Sequence, residues 1–102
     1  MNKLLKKPRS DKLYEAILSL NTVDECKQFL EDLCSISEIT ALEQRYQVAS
    51  CLHKGMIYND ILAATGASSA TISRVNRSLQ YGTGAYELVF ERLGKHAPKE
   101  EE

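Results

Sequence analysis

The stretch Ile57-Tyr-Asn-Asp-Ile61-Leu-Ala-Ala-Thr65-Gly66-Ala-Ser68-Ser-Ala-Thr-Ile72-Ser-Arg74-Val75-Asn-Arg77-Ser78-Leu79 decides the fold. It opens with a short helical segment, Tyr58 to Thr65. Gly66 stops that segment, because glycine tolerates the positive φ that a tight turn demands. Ser68 is an N-cap residue, and the helix it starts is expected to run from Ser69 to about Gln80 before Gly82 and Gly84 end it. A short helix, a tight turn and a second helix make a helix-turn-helix, placed at about residues 56–80. Ile61, Thr65, Ala67, Ile72 and Val75 fall where the two helices pack together. Leu62 stands four residues before the glycine, where the helices approach closely, so its side chain is expected to need a small shift or a different exit.

The remaining face of the second helix carries Ser69, Ala70, Ser73, Arg74 and Arg77, all small, polar or basic. The chain holds 14 acids, yet from Ala67 to Leu88 the only charges are Arg74, Arg77 and Glu87. Small residues at the start of such a helix let it approach base edges, while hydroxyls and guanidiniums reach bases or phosphates. The N-termini of the two helices add backbone N–H groups suited to phosphate. Ser68, Ser69, Ala70, Ser73, Arg74 and Arg77 are therefore the candidate DNA-binding residues. The competing reading is an ordinary helical hairpin with a polar outer face, and the absence of acid from the helix argues against it.

Outward from this stretch the pattern is helical throughout, and no strand period is visible. Ser10 is the expected cap of a first helix with Leu13, Ile17 and Leu18 or Leu20 on its apolar stripe. Thr22-Val-Asp-Glu25 fits a capping box for a second, in which Cys26, Phe29, Leu30 and Leu33 are spaced i, i+3, i+4, i+7. Ser35 or Ser37 caps a third, with Glu38 in its first turn, Leu42, Tyr46, Ala49 and Leu52 along its face, and Gly55 at its end. A last helix from Ala85 to about Gly94 sets Tyr86, Val89, Phe90 and Leu93 on one side. The expectation is an all-α domain of about six helices at 10–94, with a flexible basic arm at 1–9 and a polar, frayed tail at 95–102.

With 102 residues and a net charge of −1, the chain is one small domain and not a protein that coats nucleic acid non-specifically. Its charges are segregated. Lys3, Lys6, Lys7, Arg9 and Lys12 crowd the start, and Asp24, Glu25, Glu31, Asp32 and Glu38 crowd residues 24–38. The three cysteines, Cys26, Cys34 and Cys51, form no CxxC pair and read as small core residues in a reduced, cytoplasmic protein. His53 and His96 have no cysteine at a familiar ligand spacing, so no metal is expected. No apolar run approaches the length of a membrane span. No nucleophile elbow, phosphate loop or paired carboxylate points to an enzyme.

From Ile36 to Leu79 the chain resembles the Trp repressor superfamily. The likeness is carried by Gln44-Arg45, Lys54-Gly55, Gly66-Ala67, Ala70-Thr-Ile-Ser-Arg74 and Ser78-Leu79. Thr65-Gly-Ala-Ser68 and Ala70-Thr-Ile-Ser-Arg-Val75 are similar to that superfamily's small YerC/YecD-like branch. The resemblance implies an intertwined homodimer in which helices from both copies build one core. Two reading heads would then sit about one turn of DNA apart, ~34 Å, on a roughly palindromic operator. It also implies an effector pocket at Arg45, Thr71, Arg74 and Ser78, with the two arginines on either side of a small-molecule corepressor. Tryptophan is not the expected ligand. Val75 replaces a glycine there, its branched side chain is expected to crowd an indole, and the stretch from Gly55 to Gly66 is a residue shorter.

The function expected is that of a sequence-specific DNA-binding transcriptional regulator, a repressor by occlusion, with double-stranded DNA and a second copy as partners. No cofactor is needed for that reading, and any corepressor is unidentified. The alternative is a protein-interaction module that keeps the helix-turn-helix without reading DNA.

Overall fold

The computed structural model describes residues 8–96, and among these it contains six helices and no strand. They are α1 (Lys12–Leu18), α2 (Val23–Leu33), α3 (Ile36–His53), α4 (Tyr58–Thr65), α5 (Ser69–Tyr81) and α6 (Ala85–His96). The chain divides into two compact units, Met1–Ile39 and Thr40–Glu102. Most of the basic arm expected at 1–9, and all but two residues of the tail expected at 95–102, lie outside the described residues.

In the first unit local polar chemistry sets the helix starts. The N-cap position of α1 is Asp11, one residue later than expected, and its side chain makes no cap bond. The Ser10 hydroxyl still accepts the Lys12 N–H at 3.2 Å. Before α2, Thr22 Oγ1 accepts the Glu25 N–H at 3.0 Å, while the Glu25 carboxylate reaches past Thr22 to the N–H of Asn21 at 2.8 Å. Two orphan donors are satisfied, but the return bond is displaced by one residue from the usual box. Ser35, not Ser37, caps α3. Its hydroxyl accepts the Glu38 N–H at 3.2 Å and Glu38 Oε1 accepts the Ser35 N–H at 2.8 Å, a complete capping box. Neither α1 nor α2 buries a single residue in one copy of the chain, and Cys26, expected in a core, is exposed.

The second unit holds the core. Val48 and Ala49 of α3, Ile61 of α4, Ala67 of the turn, and Ile72 and Val75 of α5 are buried. Cys51, Leu52, Met56, Leu62, Leu79, Tyr86 and Phe90 pack against them. The apolar face expected on α3 is thus only partly the buried one, since Leu42 and Tyr46 stay exposed and Val48 takes their place. Tyr46 instead lies against Phe90 of α6, ring centroids 5.8 Å apart. His53, in the last turn of α3, stacks on Phe90 at 4.5 Å and approaches Glu87 at 3.9 Å. These contacts seat α6 on α3.

Two glycines settle the ends of the helices that carry the turn. Gly55, at φ 86°, closes α3: the Met56 N–H bonds to the Cys51 carbonyl at 3.1 Å and the Gly55 N–H to that of Leu52 at 3.0 Å. This is the paired bonding of a Schellman stop. Gly66, at φ 71°, donates to the Leu62 carbonyl at 2.9 Å and ends α4. α6 continues past Gly94 to His96, because a single glycine weakens a helix without having to break it. Lys95, expected in the tail, pairs with Glu91 one turn back at 3.6 Å.

Candidate nucleic-acid interface

α4, the Gly66-Ala67-Ser68 turn and α5 form the helix-turn-helix, and its packing follows from a few apolar side chains. Ile61 from α4 meets Ile72 and Val75 from α5 in the buried cluster, with Ala67 filling the inside of the turn. Leu62 is half-buried and packs against this cluster. Thr65, read from the sequence as a packing residue, has a polar task. Its hydroxyl donates to the Ile61 carbonyl at 2.8 Å and accepts the Ala67 N–H at 3.1 Å.

α5 starts on Ser68, whose backbone is extended (φ −71°, ψ 159°) and whose hydroxyl accepts the Thr71 N–H at 3.1 Å. Ser68 Oγ also meets Thr71 Oγ1 at 3.1 Å. The Ser68 hydroxyl is therefore committed to the cap, and of the six candidate DNA-binding residues it is the one whose side chain is already engaged. Ser69, Ala70, Ser73, Arg74 and Arg77 are all exposed. Neither arginine has an ion pair or hydrogen bond among the described residues, and α5 contains no acid. The second half of this face is a depression of 520 Å3 lined by Ser73, Arg74, Arg77, Ser78, Tyr81 and Gly82. Tyr81 was not among the candidates, although its place four residues after Arg77 puts it on the same face.

Gly82 ends α5 without a left-handed backbone, at φ −83°. What requires glycine there is space: a Cβ would collide with the carbonyl oxygen of Ser78, which also accepts the Gly82 N–H at 2.9 Å.

The four residues of the expected effector pocket are divided. Arg45, Thr71 and Arg74 line one depression of 410 Å3 between α3 and α5, together with Ala41, Gln44 and Ala70. Ser78 is absent from that wall. It lines the 520 Å3 depression with Arg74 and also an apolar one of 430 Å3 with Tyr46, Leu79, Tyr86 and Val89. Seven residues separate Thr71 from Ser78, so α5 carries the serine two turns away from the threonine. Val75, expected to crowd this space, is turned into the core, with 2% of its surface exposed, and is no part of the wall.

Among the described residues no group of three His, Cys, Asp or Glu side chains could hold a metal ion, and no helix is long and apolar enough to cross a membrane. Sequence reasoning missed Gln44, whose Nε2 donates to the Thr65 carbonyl at 3.4 Å across 21 residues of chain. No local spacing could have revealed that contact.

A family model described as Trp repressor protein matches residues 9–94. The uncharacterized protein YerC of Bacillus subtilis (strain 168) is 51% identical over 83 residues, which span 81% of this chain and 80% of that protein. The crystal structure of a TrpR-like protein from Eubacterium eligens ATCC 27750 matches with a TM-score of 0.83 and 52% identity. That match covers 96% of this chain and 100% of the other.

Proposed function

The chain belongs to the Trp repressor family, and from that premise we propose that it is a sequence-specific DNA-binding transcriptional regulator that acts as a homodimer. The observation that carries the reading is the outer face of α5. It is exposed, free of acid, small at its N-terminal end, and armed with two arginines that pair with no carboxylate among the described residues. Presented to a major groove, Ser69, Ala70 and Ser73 would meet base edges, while Arg74 and Arg77 would reach bases or phosphates. Occupying a promoter is enough to repress it, so the regulator is read as a repressor working in the cytoplasm.

Dimerisation is supported by what one copy leaves uncovered. α1 and α2 have no fully buried residue, and Leu18 and Ile36 keep 83% and 84% of their surface exposed. Apolar stripes at helical spacing stay in water only if nothing covers them, and a second copy of a chain this small is the economical cover. Two-fold symmetry would present two α5 helices about one DNA turn apart, ~34 Å, and the operator would be a rough palindrome. An effector, where one acts, would sit between Arg45 and Arg74 against Thr71, touching the first turns of α5 directly.

Sedimentation of the free protein, followed by duplex binding at rising salt, tests the reading. A dimer is expected, and its affinity for duplex should fall by roughly 10³-fold or more between 50 and 200 mM salt as phosphate contacts release counterions. A stable monomer with no salt-sensitive binding would contradict the proposal.

A further inference from the structure

A recognition helix can read bases only when it is held at a fixed angle, and the glycine that allows a tight turn does nothing to hold it. In this chain two side chains outside the DNA-facing surface do the holding. The Thr65 hydroxyl spans the turn, bonded to Ile61 on α4 and to the N–H of Ala67 beyond Gly66. Gln44 on α3 donates to the carbonyl of the same Thr65. That carbonyl is among the last four of α4, which lack a partner within the helix. Thr65 and Gln44 are both half-buried, and Ala67 is 1% exposed, so each bond is partly shielded from bulk water. α3, α4 and the turn that leads into α5 are thereby joined at one point by polar bonds of defined direction, in addition to the apolar cluster.

We propose that Gln44 and Thr65 are positioning residues that set the angle between α4 and α5 and, through it, the ratio of specific to non-specific DNA affinity. The inference rests on the DNA-reading function proposed above. Its lever is geometric. Arg77 lies eight residues along α5, ~12 Å from the turn, so a tilt of ~10° displaces it by about 2 Å. A bidentate contact to a base does not survive such a shift, whereas non-specific attraction to phosphate hardly notices it.

Three variants of the full chain test the proposal: Thr65→Val, which keeps the shape and loses the hydroxyl; Thr65→Ser, which restores it; and Gln44→Met, which keeps length without a donor. Three quantities are read for each: hydrogen exchange at the Ala67 amide, the ratio of affinities for the preferred duplex and a scrambled one, and the urea midpoint. Thr65→Val is expected to speed Ala67 exchange at least tenfold and to lower the ratio at least tenfold. Thr65→Ser should return both close to the starting values. Gln44→Met should speed the exchange at least threefold and lower the ratio, leaving the urea midpoint and the scrambled-duplex affinity unchanged. Wild-type exchange and ratio in both Thr65→Val and Gln44→Met would overturn the proposal. So would ratios that follow only the urea midpoint, with no rescue by serine. If the starting protein prefers no duplex at all, the DNA reading fails separately, and exchange at Ala67 alone decides whether these residues hold the turn.

Discussion

Ile72→Ala is expected to lower the unfolding free energy by about 2–5 kcal/mol, the usual range for truncating a fully buried isoleucine. Ile72 has no exposed surface and sits with Ile61, Val48 and Val75, the other large buried side chains. Among the described residues only six apolar side chains are buried, so the cavity cannot be shared widely. A domain's whole stability is about 5–15 kcal/mol, and a loss of this size would remove a large fraction of it. Urea titration followed by far-ultraviolet circular dichroism measures it. A cost below about 1 kcal/mol would mean that α5 is not anchored through Ile72.

Replacing Arg74 and Arg77 together by alanine should weaken binding to the preferred duplex roughly a hundredfold or more, since each lost base or phosphate contact costs on the order of 1–3 kcal/mol. Both side chains are exposed and make no ion pair or hydrogen bond among the described residues, so the fold should stay intact. Competition binding at several salt concentrations separates the two possible roles. Loss of phosphate contacts should flatten the salt dependence by about one power of salt per contact. Loss of base contacts should relax the sequence preference and leave that slope in place. An unchanged affinity would remove α5 from the interface.

The helices were legible because their boundaries are local chemistry. Gly66, Ser68, Gly55 and the Ser35–Glu38 pair each act within a few residues of themselves, and the structure shows each at the boundary the spacing indicates. What failed was what depends on distant neighbours. Leu42 and Tyr46 share the helical period of Ala49, yet Val48 is the buried partner, because the position of α4 and α5 decides which side of α3 faces the core. Cys26 and Leu33 follow a clean apolar stripe that one copy leaves exposed. Periodicity marks a stripe to be covered and does not say by what. Val75 was given two places, one in the packing between α4 and α5 and one against the ligand space, and it is the first that the structure shows. Of the candidate site, composition identified the exposed face of α5, and the i+4 spacing from Arg77 places Tyr81 on it, whereas the Gln44 contact to Thr65 required a three-dimensional neighbour. The effector residues came from likeness alone, and the geometry separates Ser78 from Arg45 and Thr71 while leaving it beside Arg74.

A chain that reads DNA as a two-fold dimer must prefer duplexes of matching symmetry. Selection of bound duplexes from a random double-stranded library, at near-physiological salt and with purified full chain, tests it most directly. The expected result is enrichment of a rough palindrome with half-sites centred about one helical turn apart, ~10 base pairs. The selection would be run both without ligand and with a pool of amino acids and metabolites, to include a corepressor lodged at Arg45 and Arg74. A palindrome in either arm upholds the claim. No enriched sequence in both arms would contradict it and leave a helix-turn-helix that binds another protein.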